Sequence, residues 1–352
     1  MATIYDVAQA ARVSVKTVSR VLNEEAAVRP STRERVLQSM QQLNYTPSTA
    51  ARTMRTQKTG LIGVLTTAIT SAPTTPDAAG LPSVNLLKGI QSVMDRSGML
   101  MMVADTGESP ERLEQLARTF REHRVEGILY VADYHQSVSP PASLFELPTV
   151  LVNCFDEHQR LPAVVPDDVA GGYRAAEAAL SRGHRRIGFL TLPETMVATQ
   201  LRNQGFLEAH EAWDVHVDPG LVLSVGKFLD PPQEEARALR HALEQLLNLR
   251  EPPTAICCGN DKMAMSLYMQ LQQWGVSIPE QLSVVGFDDY TLITELLNPR
   301  LTTVALPYVE MGQRAASRLI QEIQGVAEDR SDRIVEALAG PVIWRHSVKD
   351  LR

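Results

Sequence analysis

The sequence predicts a small all-α module at the N-terminus and a large α/β part made of two doubly wound parallel sheets. Three short segments with helix-capping residues and helical apolar spacing occupy residues 1–46. After Gly60, apolar runs typical of buried strands alternate with amphipathic helical segments as far as the C-terminus. A chain of 352 residues also exceeds one ordinary hydrophobic core. We therefore expect a helical module, a linker and two α/β subdomains.

The two parts carry charge of opposite sign. Residues 1–60 contain nine Lys and Arg against four Asp and Glu, a net charge of +5. Because the whole chain carries −7, the remainder carries −12. This asymmetry suggests a basic module for a polyanion joined to an acidic module with another task.

Composition excludes several classes of protein. Hydrophobic residues make up 44% and charged residues 21%, as in ordinary globular proteins, and no apolar run of about 18 residues is present. The N-terminal stretch "MATIYDVAQAARVS" lacks the features of a signal peptide, so we expect a cytoplasmic protein without a membrane partner. Cys257 and Cys258 lie in the apolar run "TAICCG" and predict buried thiols. Together with Cys154 they show no metal-ligand spacing, so we expect no metal and no cofactor.

The N-terminal module reads as three capped helices. Thr3 with Asp6, Ser14 with Thr17, and Ser31 with Glu34 stand at the spacing of N-terminal caps. On the third helix, the helical period places Val36, Leu37, Met40 and Leu43 on one face. The expected small core consists of Val7, Val18, Val21, Leu22, Val36 and Met40. The second helix begins within a few residues of the end of the first, which is the spacing of a helix-turn-helix.

The second helix has an exposed polar face in this arrangement. If Val18, Val21 and Leu22 point inward, the outer, N-terminal part of the helix carries Val15, Lys16, Thr17, Ser19 and Arg20. A recognition helix presents such side chains to base edges and phosphates in the major groove. Periodicity alone leaves open a solvated face on a helical hairpin.

The stretch "TIYDVAQAARVSVKTVSRVLN", followed by "VRPSTRERVLQSMQQLNYTPSTAARTMRT", closely resembles the headpiece of LacI/GalR-type transcriptional repressors. The resemblance implies a DNA-binding headpiece over residues 1–46. It also implies that Val15 and Lys16 select the operator sequence, while Thr17, Ser19, Arg20 and Asn23 match more constant contacts. It places further DNA contacts at Thr3, Ile4, Ser14, Arg29, Thr32 and Tyr45.

Residues 47–59 form the linker. From Pro47 to the break at Gln57–Gly60 only a very short helix fits, and such a helix is marginal in water unless it is held in place. In the resembled family this segment is a hinge helix that enters the minor groove with its dimer mate. The matching contact positions are Ser48, Ala51, Met54 and Arg55, with Met54 where the family usually has leucine.

The α/β part places polar residues where its predicted strands end. Ligands bind beyond the carboxyl ends of strands in open α/β sheets. The residues concerned are Asn153, Asp167, Asp168, Asn260, Asp261, Asp288 and Asp289, and Arg202 begins a predicted helix. Amides, carboxylates and a guanidinium suit the hydroxyls of a sugar, and Phe228 would offer an apolar surface. For each residue the alternative is a helix N-cap.

The resemblance extends over the α/β part through "GHRRIGFL", "LRNQGF", "CGNDKMA" and "SVVGFDD". It implies a periplasmic-binding-protein-like effector and dimerisation domain over residues 60–352. The N-subdomain would comprise about 60–164 and 305–330, and the C-subdomain about 165–300 and 331–352. By position, the implied effector contacts are Asn153, Arg202, Phe228, Asn260 and Asp288. The loop "TTAITSAPTTPDAAGLP" lacks the aromatic pair of many relatives, which weakens a purine as effector.

The expected function is that of a transcriptional regulator, a repressor, whose affinity for a palindromic operator is controlled by a small-molecule effector, a sugar. The expected assembly is a homodimer, with the helix around "SVNLLKGIQSVMDRSG" in its interface. A purine or sugar phosphate is the alternative effector. A sugar-modifying enzyme or a sugar-binding protein on the same fold is the alternative function. No nucleophile with an adjacent base and no phosphate-binding glycine loop is readable, and neither alternative explains residues 1–58.

Overall fold

The computed structural model describes residues 2–22, 27–46, 58–67, 81–107, 109–227, 230–326 and 334–352. By its internal contacts the chain divides into two compact units, Met1–Gly60 and Leu61–Arg352. Within the described ranges, no helix combines the length and the apolar character needed to cross a membrane.

The N-terminal unit contains helices α1 (Ile4–Ala10), α2 (Val15–Leu22) and α3 (Pro30–Gln42). The first two predicted caps are confirmed. Thr3 and Asp6 form a reciprocal capping box, in which the Thr3 N–H donates to Asp6 Oδ2 at 2.7 Å. The Thr17 N–H donates to Ser14 Oγ at 3.1 Å. Each bond satisfies a backbone donor that the first helical turn leaves free.

A left-handed residue makes the turn between α1 and α2. Arg12 has φ +51°. Its N–H donates to Gln9 O at 3.2 Å, and the Val13 N–H donates to Ala8 O at 3.0 Å. This bond pattern is a Schellman motif, with Val13 packing back onto the core. It ends α1 abruptly and so allows α2 to start only five residues later.

Two expectations for α3 are wrong. The helix begins at Pro30 rather than after a Ser31 cap, and the preceding Arg29 makes no side-chain capping bond. Proline has the backbone φ of a helix and no N–H to satisfy, so it starts α3 one residue earlier. Leu37 and Leu43 are exposed, because the buried face of α3 centres on Val36 and Ser39. The rest of the core is confirmed, with Leu22 and Met40 partly buried beside Val7, Val18, Val21 and Val36.

The α/β unit alternates strands and helices, as predicted. Its strands are β1 (Leu61–Thr66), β2 (Leu100–Asp105), β3 (Gly127–Val138), β4 (Thr149–Asp156), β5 (Ala163–Pro166), β6 (Ile187–Thr191), β7 (Val222–Ser224), β8 (Ala255–Cys258), β9 (Ser283–Asp288), β10 (Thr302–Ala305), β11 (Val335–Leu338) and β12 (Val342–Ile343). Its α-helices are α4 (Leu81–Ser97), α5 (Pro110–Glu122), α6 (Asp168–Leu180), α7 (Val197–Ala212), α8 (Pro232–Leu247), α9 (Asp261–Trp274), α10 (Thr291–Thr294) and α11 (Tyr308–Gln324).

The strands form two six-stranded sheets, which confirms the predicted fold class. The first has the order β11-β5-β4-β3-β1-β2 and the second β12-β10-β9-β8-β6-β7. All neighbouring strands are parallel except β10 and β12. Helices cover both faces of each sheet, α4, α5 and α11 on the first and α6 to α9 on the second. Cys257 and Cys258 are buried in these cores as free thiols, as expected, and Cys154 is a third buried free thiol.

The chain crosses between the subdomains three times: from β5 to α6, from β10 to α11, and from β11 to β12. The third crossing corrects the expected subdomain boundaries. Strand β11 lies in the C-terminal stretch assigned to the second subdomain, yet it pairs with β5 in the first sheet. Its pairing partner lies about 170 residues earlier in the chain, so local sequence pattern does not reveal it.

Candidate functional site

The N-terminal unit carries a candidate DNA-reading face on helix α2. Val18 and Val21 are buried against α1 and α3, whereas Lys16 and Arg20 are exposed. These two basic residues are four positions apart, so they lie one turn apart on the same side of the helix. Thr17 and Ser19 flank them and are half-buried, and Val15 packs partly against the core. The arrangement is that of a recognition helix.

The other predicted DNA contacts surround this helix or lie outside the described residues. Thr3, Ser14 and Arg29 are exposed, while Ile4, Thr32 and Tyr45 are half-buried. The hydroxyls of Thr3 and Ser14 also cap α1 and α2, so they combine a structural role with exposure. Outside the described residues lie Asn23, Ser48, Ala51, Met54 and Arg55.

A cavity of about 250 Å³ lies between the two α/β subdomains. It lies at the carboxyl ends of strands from both sheets, where open α/β folds bind ligands. Four residues predicted from sequence as effector contacts line it, namely Asn153, Arg202, Asn260 and Asp288. The fifth, Phe228, lies outside the described residues. The structure thus brings together residues that are up to 135 positions apart in the chain.

A bulge in β3 brings further polar residues to the cavity. Val131 pairs with Val152, but the next pair is Gln136 with Cys154, so four residues of β3 lie opposite Asn153 alone. Asn153 has φ +60°, and its Nδ2 donates to Ala132 O at 3.1 Å, which ties the bulge to β4. A bulge of this kind redirects side chains away from the sheet pattern. It places Asp133, Tyr134 and His135 on the cavity wall.

Arg202 belongs to a buried charge network. Its Nε donates to Asp168 Oδ1 at 2.6 Å, and its Nη1 donates to Gly259 O at 2.6 Å. The second carboxylate oxygen of Asp168 lies 2.7 Å from His135 Nδ1. All three residues are almost fully buried: Arg202 is 5% exposed, Asp168 1% and His135 6%. The guanidinium also stacks on Phe287, with Cζ 3.7 Å from the ring centroid.

Burial and pairing act in opposite directions on Asp168. Burial raises the pKa of its carboxyl, but the charge of Arg202 and the hydrogen bond with His135 outweigh it, so the pKa is lowered. Asp168 is therefore ionised. Helices α6 and α7 hold it against Arg202 because they approach at glycines. A Cβ on Gly172 would overlap the backbone of Arg202, and one on Gly205 would overlap that of Val169.

Asp288 ends strand β9 with an unusual backbone. Its φ of +117° lies in a region that residues other than glycine rarely adopt, and such conformations cluster at ligand sites. Burial raises the pKa of its carboxyl well above the ordinary value. Asp261 and Asp168 raise it further, against the opposing effect of Arg202. A protonated Asp288 both donates and accepts a hydrogen bond.

The remaining strand-end carboxylates and amides have structural roles. Asn260 is the N-cap of α9, because its Oδ1 accepts a hydrogen bond from the Met263 N–H at 2.8 Å. Asn260 also lines the cavity. Asp167 caps α6 in the same way at 2.9 Å. Asp261 is fully buried and accepts from the Tyr290 N–H and Thr303 Oγ1. Asp289 pairs with Arg345 at 2.8 Å.

Sequence reasoning missed several residues of the cavity wall, chiefly Asp133, Tyr134, His135, Lys262, Tyr290 and Tyr308. Lys262 and Tyr290 each come one or two residues after a strand-end position that was singled out, so proximity was an available signal. His135 offered no such signal, because the β3 bulge is not visible in the apolar pattern. Among the described residues, no group of three His, Cys, Asp or Glu side chains is placed to hold a metal ion.

A helix-turn-helix with a basic outer face and a small-molecule cleft in a second unit define a ligand-responsive DNA-binding regulator. Comparison with protein families supports this class. Residues 3–48 match the family described as bacterial regulatory proteins, lacI family, and residues 176–348 match the periplasmic binding protein-like domain.

Full-length relatives extend the match. The chain is 33% identical to the HTH-type transcriptional repressor PurR of Vibrio cholerae serotype O1, over all of this chain and 99% of the relative. It is also 33% identical to the sucrose operon repressor of Escherichia coli, over 92% of this chain and 95% of the relative. A solved structure, the lac repressor dimer bound to operator and the anti-inducer ONPF, matches with a TM-score of 0.75 at 25% identity, over 99% of both chains. The chain therefore belongs to the lacI family of bacterial regulatory proteins. It is a DNA-binding transcriptional regulator and not an enzyme.

Proposed function

We propose that this protein represses transcription by binding a palindromic operator as a homodimer, and that a sugar bound in the cleft changes its operator affinity. The observation that carries the proposal is the cavity between the two sheets, lined by Asn153, Arg202, Asn260 and Asp288. These residues come from both subdomains, so a ligand that contacts them favours one arrangement of the subdomains over others. Such differential binding is what couples an effector to DNA affinity.

The chemistry of the cleft supports a sugar as effector. The wall combines amides, a carboxyl whose pKa is raised by burial, a guanidinium and tyrosines, which suit hydroxyl groups that both donate and accept. The relatives do not decide the question by identity, because a repressor named for purine and one named for sucrose are equally similar to this chain. The proposal of a sugar therefore rests on the chemistry of the residues that line the cavity.

An apolar surface on the second subdomain supports self-association. Met269 on α9, Leu292 on α10 and Leu296 just after α10 are 54%, 68% and 79% exposed, and α9 packs against α10. Val84 on α4, the helix expected in the interface, is also exposed. Large apolar side chains grouped on a surface mark protein contacts. Replacing Leu292 and Leu296 by Glu should convert the dimer to a monomer in sedimentation velocity and weaken operator binding.

The effector proposal is tested by screening ligands and then measuring operator binding. Thermal shifts of the full-length protein with sucrose, maltose, ribose and hypoxanthine identify a ligand. Fluorescence anisotropy with a selected operator duplex then shows whether that ligand changes DNA affinity. Asn260→Ser should weaken the response, because serine keeps the α9 cap but removes the amide from the cavity. Asp167→Ser is the matched control, since it keeps the α6 cap and Asp167 is not among the residues that line the cavity.

A sugar that stabilises the protein and changes operator affinity, with the response reduced by Asn260→Ser alone, supports the proposal. A ligand whose effect is equal in both variants would place the effector site elsewhere. A response to hypoxanthine and to none of the sugars would replace the sugar with a purine.

A further inference from the structure

Two polar groups on opposite sides of the cleft, the Tyr290 hydroxyl and His135 Nε2, accept or donate no hydrogen bond among the residues that the structure describes. The Tyr290 hydroxyl is buried, yet it has no hydrogen-bond partner among the described residues, although Tyr290 lines the cavity. Tyr290 follows β9 and belongs to the second subdomain. A buried hydroxyl without a partner is costly, so a ligand that bonds to it gains affinity. His135, on the β3 bulge, belongs to the first subdomain.

The network around His135 determines which atom faces the ligand. Asp168 is ionised and only accepts hydrogen bonds, so His135 Nδ1 must carry the hydrogen of the 2.7 Å bond. The other ring nitrogen, Nε2, takes no part in this bond. Within the described part of the chain, no residue donates to this nitrogen.

The cationic side chains of the cavity wall are already paired. Arg202 bonds Asp168 and the Gly259 carbonyl, and Lys262 Nζ lies 2.7 Å from Glu235 Oε2. Asp133 on the wall carries a carboxyl that accepts from Ser83 Oγ at 2.7 Å. An anionic ligand would compete with Asp168 or Glu235 for these cations, whereas a neutral ligand with hydroxyl groups would not.

We infer that His135 and Tyr290 contact the effector from opposite subdomains, and that the ligand they select is an uncharged polyhydroxylated molecule rather than an anion. One ligand hydroxyl hydrogen-bonds to His135 Nε2, and another hydrogen-bonds to the Tyr290 hydroxyl. This inference rests on the proposed effector site. It adds two contacts and the charge class of the ligand to that proposal. Because each contact belongs to a different subdomain, a ligand that makes both also links the two subdomains.

Isosteric variants separate ligand contact from support of the fold. In His135→Asn the amide nitrogen takes the place of Nδ1 and keeps the bond to Asp168, while Nε2 is lost. Tyr290→Phe removes only the hydroxyl that has no partner. His241→Asn on the exposed face of α8 is the matched control for the histidine change. The ligands are sucrose, maltose, ribose, sucrose 6-phosphate, ribose 5-phosphate and hypoxanthine, titrated calorimetrically into full-length protein.

We expect a neutral sugar to bind, and each cleft variant to raise its Kd about tenfold, as expected for one lost hydrogen bond to a ligand. His241→Asn should leave the Kd unchanged, and the phosphorylated sugars should bind at least tenfold more weakly than their parents.

Three outcomes would overturn the inference. A neutral sugar whose Kd changes less than twofold in both cleft variants refutes the two contacts but leaves the proposed sugar site in place. Preferential binding of a sugar phosphate refutes the uncharged class. Binding of hypoxanthine alone, or of none of the six compounds, refutes the inference together with the proposed sugar effector.

Discussion

The two units of this chain use polar residues in opposite ways. In the N-terminal unit the core is small and apolar, and the polar side chains expected to read DNA lie on the outside of α2. In the cleft, charged side chains such as Asp168 and Arg202 are almost fully buried and depend on one another. An exposed contact residue is therefore replaceable without loss of fold, whereas a buried one also supports the structure around it.

The largest expected effect comes from breaking the buried charge network. Asp168→Ala leaves the Arg202 guanidinium buried without its carboxylate, which should lower the free energy of unfolding by about 3–5 kcal/mol. All three tryptophans lie in the α/β unit, so urea unfolding followed by tryptophan fluorescence reports on that unit. The neighbouring cap variant Asp167→Ala should cost only about 1 kcal/mol. Equal losses in the two variants would mean that the network adds no stability beyond a cap.

The core of the N-terminal unit should be the next most sensitive. Val18→Ala removes two buried methyl groups from a core of few residues and should cost about 2 kcal/mol. Operator binding should weaken as the unit unfolds, while the tryptophan transition of the α/β unit stays where it is. Leu37→Ala, at an exposed position of the same unit, should change neither the stability of this unit nor the free energy of operator binding by more than about 0.5 kcal/mol. A shift of the tryptophan transition by Val18→Ala would show that the two units unfold together.

An exposed DNA contact should affect binding without affecting stability. Lys16→Ala should cost about 1–3 kcal/mol of operator affinity and relax sequence preference at one operator position. Competition between single-base operator variants measures this preference. Lys88→Ala on α4 removes the same charge from the other unit and serves as control. A uniform loss over all operator variants, with a smaller salt dependence, would assign Lys16 to a phosphate instead.

The smallest effect should come from the ion pair of buried Asp156 with half-exposed Arg160. Side-chain hydrogen bonds from Arg160 lower the pKa of Asp156 from 3.8 to about 2. Because the folded pKa is depressed, the stabilisation is present above about pH 4 and is lost as the pH falls through about 2. Arg160→Ala should therefore lower stability at pH 7 by about 1 kcal/mol or less, since Arg160 is half-exposed.

The difference between wild type and Arg160→Ala should narrow at pH 3, which urea titrations at the two pH values measure. Arg118→Ala removes an exposed pair with Glu114 and should cost still less at pH 7. A difference independent of pH would show that Arg160 acts through packing and not through the Asp156 charge.

Much of the fold could be predicted from local pattern, and of the two exceptions one has a local cause and one a long-range cause. The strand and helix alternation, the caps of α1 and α2 and the buried thiols all follow from spacing within a few residues. The Ser31–Glu34 box failed because Pro30 starts the helix without a cap. The assignment of β11 to the second subdomain was wrong because parallel strands that pair can be far apart in the chain. The apolar run of β11 does not indicate which strand it pairs with.

For the candidate site, too, local sequence predicts some features and not others. Strand-end polar residues can be listed from sequence because the rule about carboxyl ends is local to each strand, and four of them do line one cavity. Their separate roles could not be assigned from the list. Asp167 is a cap, Asp261 supports the turn before α10, and Asp289 pairs with Arg345. Which of these residues faces the ligand depends on how the strand ends of the two sheets are placed around the cavity.

The helical headpiece, the α/β class and the polar character of the strand ends can be predicted from the amino-acid sequence, because capping bonds and apolar periods act over three or four residues. Only the tertiary structure decided that His135 joins Asp168 and Arg202, since these bonds span 33 and 34 residues. The β3 bulge, the crossover from β5 to α6 and the close approach of α6 and α7 at glycines bring these residues together. Because the site is buried, each charged side chain is stable only when its partner is present.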